Sequence, residues 1–173
     1  MKNARFLEFN QSYTAAKRPA AVWPDDRHRD GYEMELLLTT IATWLSLNFS
    51  LPVSYELPAV EMAPTVRIAE MRYGASHSVD PSDVIAVYVD SEQTIFLPEG
   101  WEGRTPLEVS ILVHELVHHL QNVGGLTYTC PAEREQLAYA AQDAWLGLFG
   151  KELQTEFRFD PLTFKLLTHC LPY

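Results

Sequence analysis

The segment TPLEVSILVHELVHHLQNVGG, residues 105–125, reads as one complete helix and is the strongest in the chain. Thr105 stands at the N-cap, Pro106 at the first helical position and Glu108 at the third, the spacing of a capping box. Gly124-Gly125 stops the helix near Val123. Downstream, Thr129-Cys130-Pro131 opens a second helix that runs to about Phe149, with Gly150 as its stop. Asp160-Pro161 opens a third that ends near Thr168. Upstream, Val84–Val89 and Thr94–Leu97 are two β-rich runs around the polar turn Asp90-Ser91-Glu92-Gln93, which predicts a hairpin.

Further upstream, Thr65–Tyr73 reads as a short helix ended by Gly74. Ser54–Met62 alternates as a strand, and Pro58 assigns it to an edge or a bulge. Asp30 with Glu33 has capping-box spacing. Met34, Leu37, Leu38, Ile41, Trp44 and Leu45 then fall on one helical stripe that ends near Asn48. Residues 1–29 lack periodicity and read as an N-terminal arm, leaving residues 30–173 as a single domain. The expected class is α+β: an N-terminal helix, a small antiparallel sheet, two central helices and a C-terminal helix.

The chain has 173 residues, 47% of them apolar, enough for one core closed without staples. Lys plus Arg is 13 and Asp plus Glu is 23, so the net charge is 13 − 23 = −10. That balance argues against a nucleic-acid partner, because no basic face is left to neutralise phosphates. No run is apolar enough to span a bilayer: Met34–Leu51 contains Glu35, three threonines and Asn48 and meets Pro52. No secretory leader is visible after Lys2 and Arg5, so a cytoplasmic location is expected. A periplasmic or secreted location is the alternative if a leader has been removed and Cys130 and Cys170 form a bridge.

Inside the strongest helix stands His114-Glu115-Leu116-Val117-His118. Two imidazoles one turn apart on one helix face can hold one cation at about 2.0–2.1 Å each. Glu115 points to the neighbouring side, where its carboxylate can reach water activated by the metal without ligating the metal. This is the HExxH arrangement of zinc hydrolases. Two histidines need a third partner. Gly124 stands where an extended motif would place a third histidine, so the ligand is sought on the next helix, in Glu133 or Glu135. Glu133 falls at the third helical position, where free N–H groups and the helix dipole already account for a carboxylate. Glu135 lies deeper, with Ala138 and Gln142 on its face, and is the preferred ligand. The 17 residues from His118 to Glu135 suit an antiparallel helical hairpin.

His114-Glu-Leu-Val-His118 followed by Glu135-x-x-Ala138 resembles the gluzincin clan of zinc metallopeptidases, especially its compact single-domain members. The chain also looks like an uncharacterised family of small bacterial HExxH proteins. Those combine an apolar helix ending in a Trp-Leu pair (here Trp44-Leu45), a strand pair before the HExxH helix, and a Glu-x-x-Ala-Tyr helix. The resemblance implies a minimal gluzincin-like fold, zinc held by His114, His118 and Glu135, and Glu115 as catalytic base. Thermolysin-like gluzincins carry an aspartate four residues after the ligand glutamate; here that position is Tyr139.

The expected chemistry is hydrolysis of a peptide bond in a peptide or protein substrate, with Glu115 taking the proton from the attacking water. Tyr139 and Tyr128 are the candidates for stabilising the oxyanion, with ordinary packing as the alternative reading of each. Gln121 and Gln142 lie on the ligand faces, either to orient the ligands or to satisfy one another. His119 lies on the face of Glu115, as its modulator, as a substrate contact or as a rim residue with no role. Thr94–Leu97 is read either as an edge for an extended peptide or as a buried hairpin strand. The competing function is a non-catalytic module, binding or regulatory, in which zinc only clamps two helices.

Overall fold

Thr105 caps the central helix as its sequence predicts. Its hydroxyl accepts the Glu108 N–H at 3.1 Å, and the Glu108 carboxylate accepts the Thr105 N–H at 3.0 Å. In this computed structural model, which describes residues 26–53, 56–74 and 85–170, nine elements follow in order. They are α1 (Asp26–Phe49), β1 (Ala59–Ala63), α2 (Thr65–Tyr73), β2 (Val87–Val89), β3 (Thr94–Pro98), α3 (Pro106–Val123), α4 (Pro131–Gly147), α5 (Leu153–Glu156) and α6 (Pro161–Thr168). The architecture is α+β.

The core lies where α1, α3, α4 and one face of the sheet meet. Leu112, Val113, Leu116 and Val117 of α3 are fully buried, as are Ile41 and Leu45 of α1 and Ile95 and Leu97 of β3. Each such aliphatic side chain contributes about 1.5–3 kcal/mol by leaving water. The other sheet face carries Val87 and Phe96, which pack with Ile68 and Ala69 of α2 in a second, smaller cluster. Strand alternation therefore gives the sheet two apolar faces, one toward α3 and one toward α2.

Three boundaries and one direction differ from the expectation. The first helix starts at Asp26, not at Asp30, so Asp30 is no cap and most of the expected arm, residues 1–25, lies outside the described residues. The first strand begins only after Pro58, and residues 54 and 55 of the expected strand are outside the described set. The helix α4 ends at Gly147, and a short helix α5, unpredicted, follows.

The sheet is mixed rather than antiparallel. The hairpin β2–β3 is antiparallel, pairing Val87 with Phe96 and Val89 with Thr94. The strand β1 pairs with β3 in parallel, Ala59 with Thr94 through Ala63 with Pro98. A parallel pair needs a crossover, and α2 lies within it. The order β1-β3-β2 makes β3 the middle strand, so Thr94–Leu97 offers no edge to a peptide.

At the end of α3, Leu126 N–H returns to Gln121 O and Gly125 N–H to Asn122 O, with Gly125 at φ 61°. This is a Schellman stop, and a left-handed residue there favours glycine. Gly124 is required for space: a Cβ on it would lie 2.4 Å from Pro52 Cγ. Among the described residues, no helix is long and apolar enough to cross a membrane.

Cys130, at the N-cap of α4, is disulfide-bonded to Cys170, just after α6. Closing a loop over a separation of 40 residues stabilises a fold by about 4 kcal/mol through the unfolded state. The double variant C130S/C170S is therefore expected to lose about 4 kcal/mol. Urea unfolding under non-reducing conditions measures this, and an unchanged midpoint would show that the bridge adds nothing.

Candidate metal centre

The helices α3 and α4 pack side by side. His114 meets Gln142, His118 meets Glu135, and Gln121 meets Arg134. The residue numbers rise along one helix as they fall along the other, so the two run antiparallel. His114, Glu115 and His118 of the HExxH segment and Glu135 of α4 are buried, each residue keeping only 4–9% of its surface.

Three donor atoms converge. His114 Nε2 lies 3.2 Å from His118 Nε2 and 3.2 Å from Glu135 Oε2, and His118 Nε2 lies 3.4 Å from the same oxygen. Ligands at 2.0–2.1 Å from a tetrahedral ion lie about 3.3 Å from one another, so the triangle has the dimensions of one face of a zinc site. These three residues form a group able to hold a metal ion. Among the described residues no fourth His, Cys, Asp or Glu joins it, and both cysteines are in the disulfide.

The hydrogen bonds behind the histidines determine which nitrogen carries the proton. Gln121 Nε2 donates to the Arg134 carbonyl at 3.0 Å, which turns its Oε1 toward His118 Nδ1 at 3.0 Å. Ser110 Oγ donates to the Leu107 carbonyl, so it accepts from Gln142 Nε2 at 3.3 Å. Gln142 Oε1 is then left for His114 Nδ1 at 3.1 Å. Each amide oxygen requires N–H on the Nδ1 it faces. Both neutral rings therefore aim an Nε2 lone pair at the same point, beside a carboxylate oxygen. Three acceptors and no donor at one buried point call for a cation. Gln121 and Gln142 thus contact the two rings rather than each other.

Glu135 Oε1, the oxygen away from the histidines, accepts from Arg72 Nη2 of α2 at 2.7 Å. Burial alone would raise the Glu135 carboxyl, but the adjacent His114 and His118 outweigh it and hold the group well below the ordinary carboxylate range. Burial pushes Glu115 the other way, above its ordinary value, against the attraction of His114 and Arg72. Its carboxylate accepts the Tyr88 backbone N–H. The two acids on neighbouring helices are thus driven in opposite directions, Glu135 downward and Glu115 upward.

Of the other expected residues, Tyr139 lies at the centre. Its ring packs edge-on to His114 at 4.6 Å between centroids and touches Phe159 and Phe164 on its far side. Burial, then the Glu135 carboxylate, push its phenol well above the usual value, so it stays a donor. A cavity of about 540 Å³ between α4, α5 and α6, lined in part by Asp143, Glu152 and His169, also touches Tyr139 but contains none of the three donors.

Tyr128 is not brought to the centre; Arg134 and Glu133 are its charged neighbours. Glu133 accepts the Thr129 N–H at 2.6 Å and serves the start of α4. His119 is neither a rim residue nor a partner of Glu115. It is fully buried, with Nδ1 3.2 Å from the Tyr88 hydroxyl and Nε2 2.8 Å from the Glu56 carbonyl.

Sequence reasoning missed Arg72 and Ser110. Ser110 had a signal: with His114, His118 and Gln121 it makes a polar stripe along an otherwise apolar helix. Arg72 had none, being 63 residues from Glu135 on a separate short helix.

The family model described as "Domain of unknown function (DUF6647)" matches residues 30–172. No curated protein and no solved structure matches the chain.

Proposed function

The chain belongs to the DUF6647 family, and from the side chains of its centre we propose that it is a zinc-dependent hydrolase that cleaves peptide bonds. The observation that carries this reading is the 3.2–3.4 Å triangle of His114 Nε2, His118 Nε2 and Glu135 Oε2 with the buried Glu115 next to it in the helix. A structural zinc site is closed by four protein ligands and has no use for a buried acid beside them. Three ligands leave a position for substrate chemistry. Imidazole and carboxylate donors in this number suit zinc, which when bound supplies the Lewis acidity that polarises a carbonyl and makes water a nucleophile at neutral pH.

The chain's own groups then divide the remaining work. Glu115 takes the proton of the attacking water on a carboxylate oxygen and passes it to the nitrogen of the leaving amine. Its raised pKa matches that task. Tyr139, held protonated, is the donor for the developing oxyanion. Gln142 and Gln121 keep the two rings in the ligating tautomer. The substrate is a peptide or protein segment presented to a site whose ligands are buried. The disulfide supports an oxidising compartment over the cytoplasmic location expected from the N-terminal residues.

Elemental analysis of protein purified without chelators or affinity nickel tests the reading. About one zinc per chain is expected. A chain that holds no zinc, even after zinc is added, overturns it.

A further inference from the structure

The third ligand is engaged at both of its oxygens, and only one of them faces the histidines. We infer that Arg72 is a positioning residue of the metal centre: it occupies Glu135 Oε1 and so confines that ligand to donation through Oε2 alone. This inference rests on the proposed metal reading. Glu135 Oε2 lies 3.2 and 3.4 Å from the two imidazole nitrogens, while Oε1 is bound by Arg72 Nη2 at 2.7 Å. A carboxylate with both oxygens free can chelate an ion through both. One oxygen already bonded to a guanidinium is a poor second donor, because its charge is met and its lone pairs are directed elsewhere. Arg72 thereby keeps the ligand count at three and the position for substrate open.

Topology brings the residue there. The strand β1 runs parallel to β3, and α2, in the crossover between them, packs on the sheet face opposite the main core. Arg72 lies in the last turn of α2. From that turn it reaches the α3–α4 pair, so a single side chain links the two layers at the ligand. Stability is a weak reason for the pair, since the arginine side chain is 41% exposed and half-exposed ion pairs contribute little. The glutamate end is different: its side chain is 11% exposed, and Arg72 is what neutralises it on the side away from the histidines.

The test uses the full chain in wild-type, R72Q and R72K forms, with R67Q as a control elsewhere on α2. Each is loaded with zinc for affinity by chelator competition, and with cobalt for its d–d absorption. R72Q is expected to bind zinc about 10–100-fold more weakly. Its cobalt bands are expected to weaken, as a second carboxylate oxygen raises the coordination number. R72K, which restores one cationic donor to Oε1, is expected to recover the wild-type bands, and R67Q to show them throughout. Unchanged cobalt bands in folded R72Q overturn the inference. R72M repeats the measurement if R72Q does not fold. A wild-type chain that binds neither metal removes the metal reading itself, a result distinct from wild-type binding that is indifferent to Arg72.

Discussion

Glu115→Gln is expected to lower kcat for peptide cleavage by about 10²–10⁴-fold, with zinc content and Tm unchanged. Glutamine has the shape of the acid and keeps an oxygen for the Tyr88 backbone N–H, so the buried position stays satisfied. What it lacks is the ability to take a proton. Burial raises the Glu115 carboxyl, so the wild-type acid limb of kcat/KM is expected above the usual carboxylate range. The sign follows from the role: a base works only when deprotonated, so activity rises with pH through that limb. In E115Q the limb disappears along with the rate. Steady-state kinetics on zinc-loaded protein with a mixed peptide substrate measure both effects. A helix-clamping module that merely binds a partner would be indifferent to the change. Full turnover by the glutamine variant would remove Glu115 from the mechanism.

The parts of the fold that could be read in the chain are those with local causes. The capping box of Thr105 and Glu108, the stop at Gly74 and the Asp160-Pro161 start mark their helices within a residue or so. The turn Asp90–Gln93 gives its hairpin. These signals act over three or four residues, so no tertiary contact is needed to see them. Strand direction is different in kind. Alternation in Ala59–Ala63 says which side chains share a face, but nothing in five residues says whether the partner runs with or against them. The start of α1 was misplaced because Asp30 and Glu33 imitate a cap inside a helix that begins four residues earlier.

The same division holds at the centre. His114 and His118 are bound by helical spacing, and Glu135 and Gln142 lie on the next helix with a short turn between, so all four were legible. Arg72 arrives by the parallel crossover and depended on the one topological fact that periodicity does not carry. The burial of His119 depended on the Tyr88 hydroxyl and the Glu56 carbonyl, contributed by parts of the chain 31 and 63 residues away.

Zinc is expected to raise the stability of the chain by about 4 kcal/mol when free ion stands a thousandfold above its Kd, or roughly 8–16 °C in Tm at this length. The reason lies in the metal-free centre. With N–H fixed on both Nδ1 atoms by Gln121 and Gln142, two Nε2 lone pairs and an anionic oxygen meet within 3.4 Å in a nearly closed site. Such an arrangement is relieved by a cation, by taking up protons, or by letting α3 and α4 separate. Protons and zinc compete for the same lone pairs, so the stabilisation is expected to shrink as pH falls, because the ligating forms are the deprotonated ones. His118→Ala removes one donor and its contact with Gln121, and is expected to abolish the zinc-dependent shift. Gln121→Ala keeps all three donors but frees the His118 ring, and is expected to weaken zinc binding about 10–100-fold without abolishing the shift at saturation. Thermal unfolding with and without a chelator, at two pH values, separates these cases. If chelated and zinc-saturated wild-type protein melt together, and H118A melts with them, the three side chains do not share an ion, and the buried triangle is a proton-sharing cluster instead.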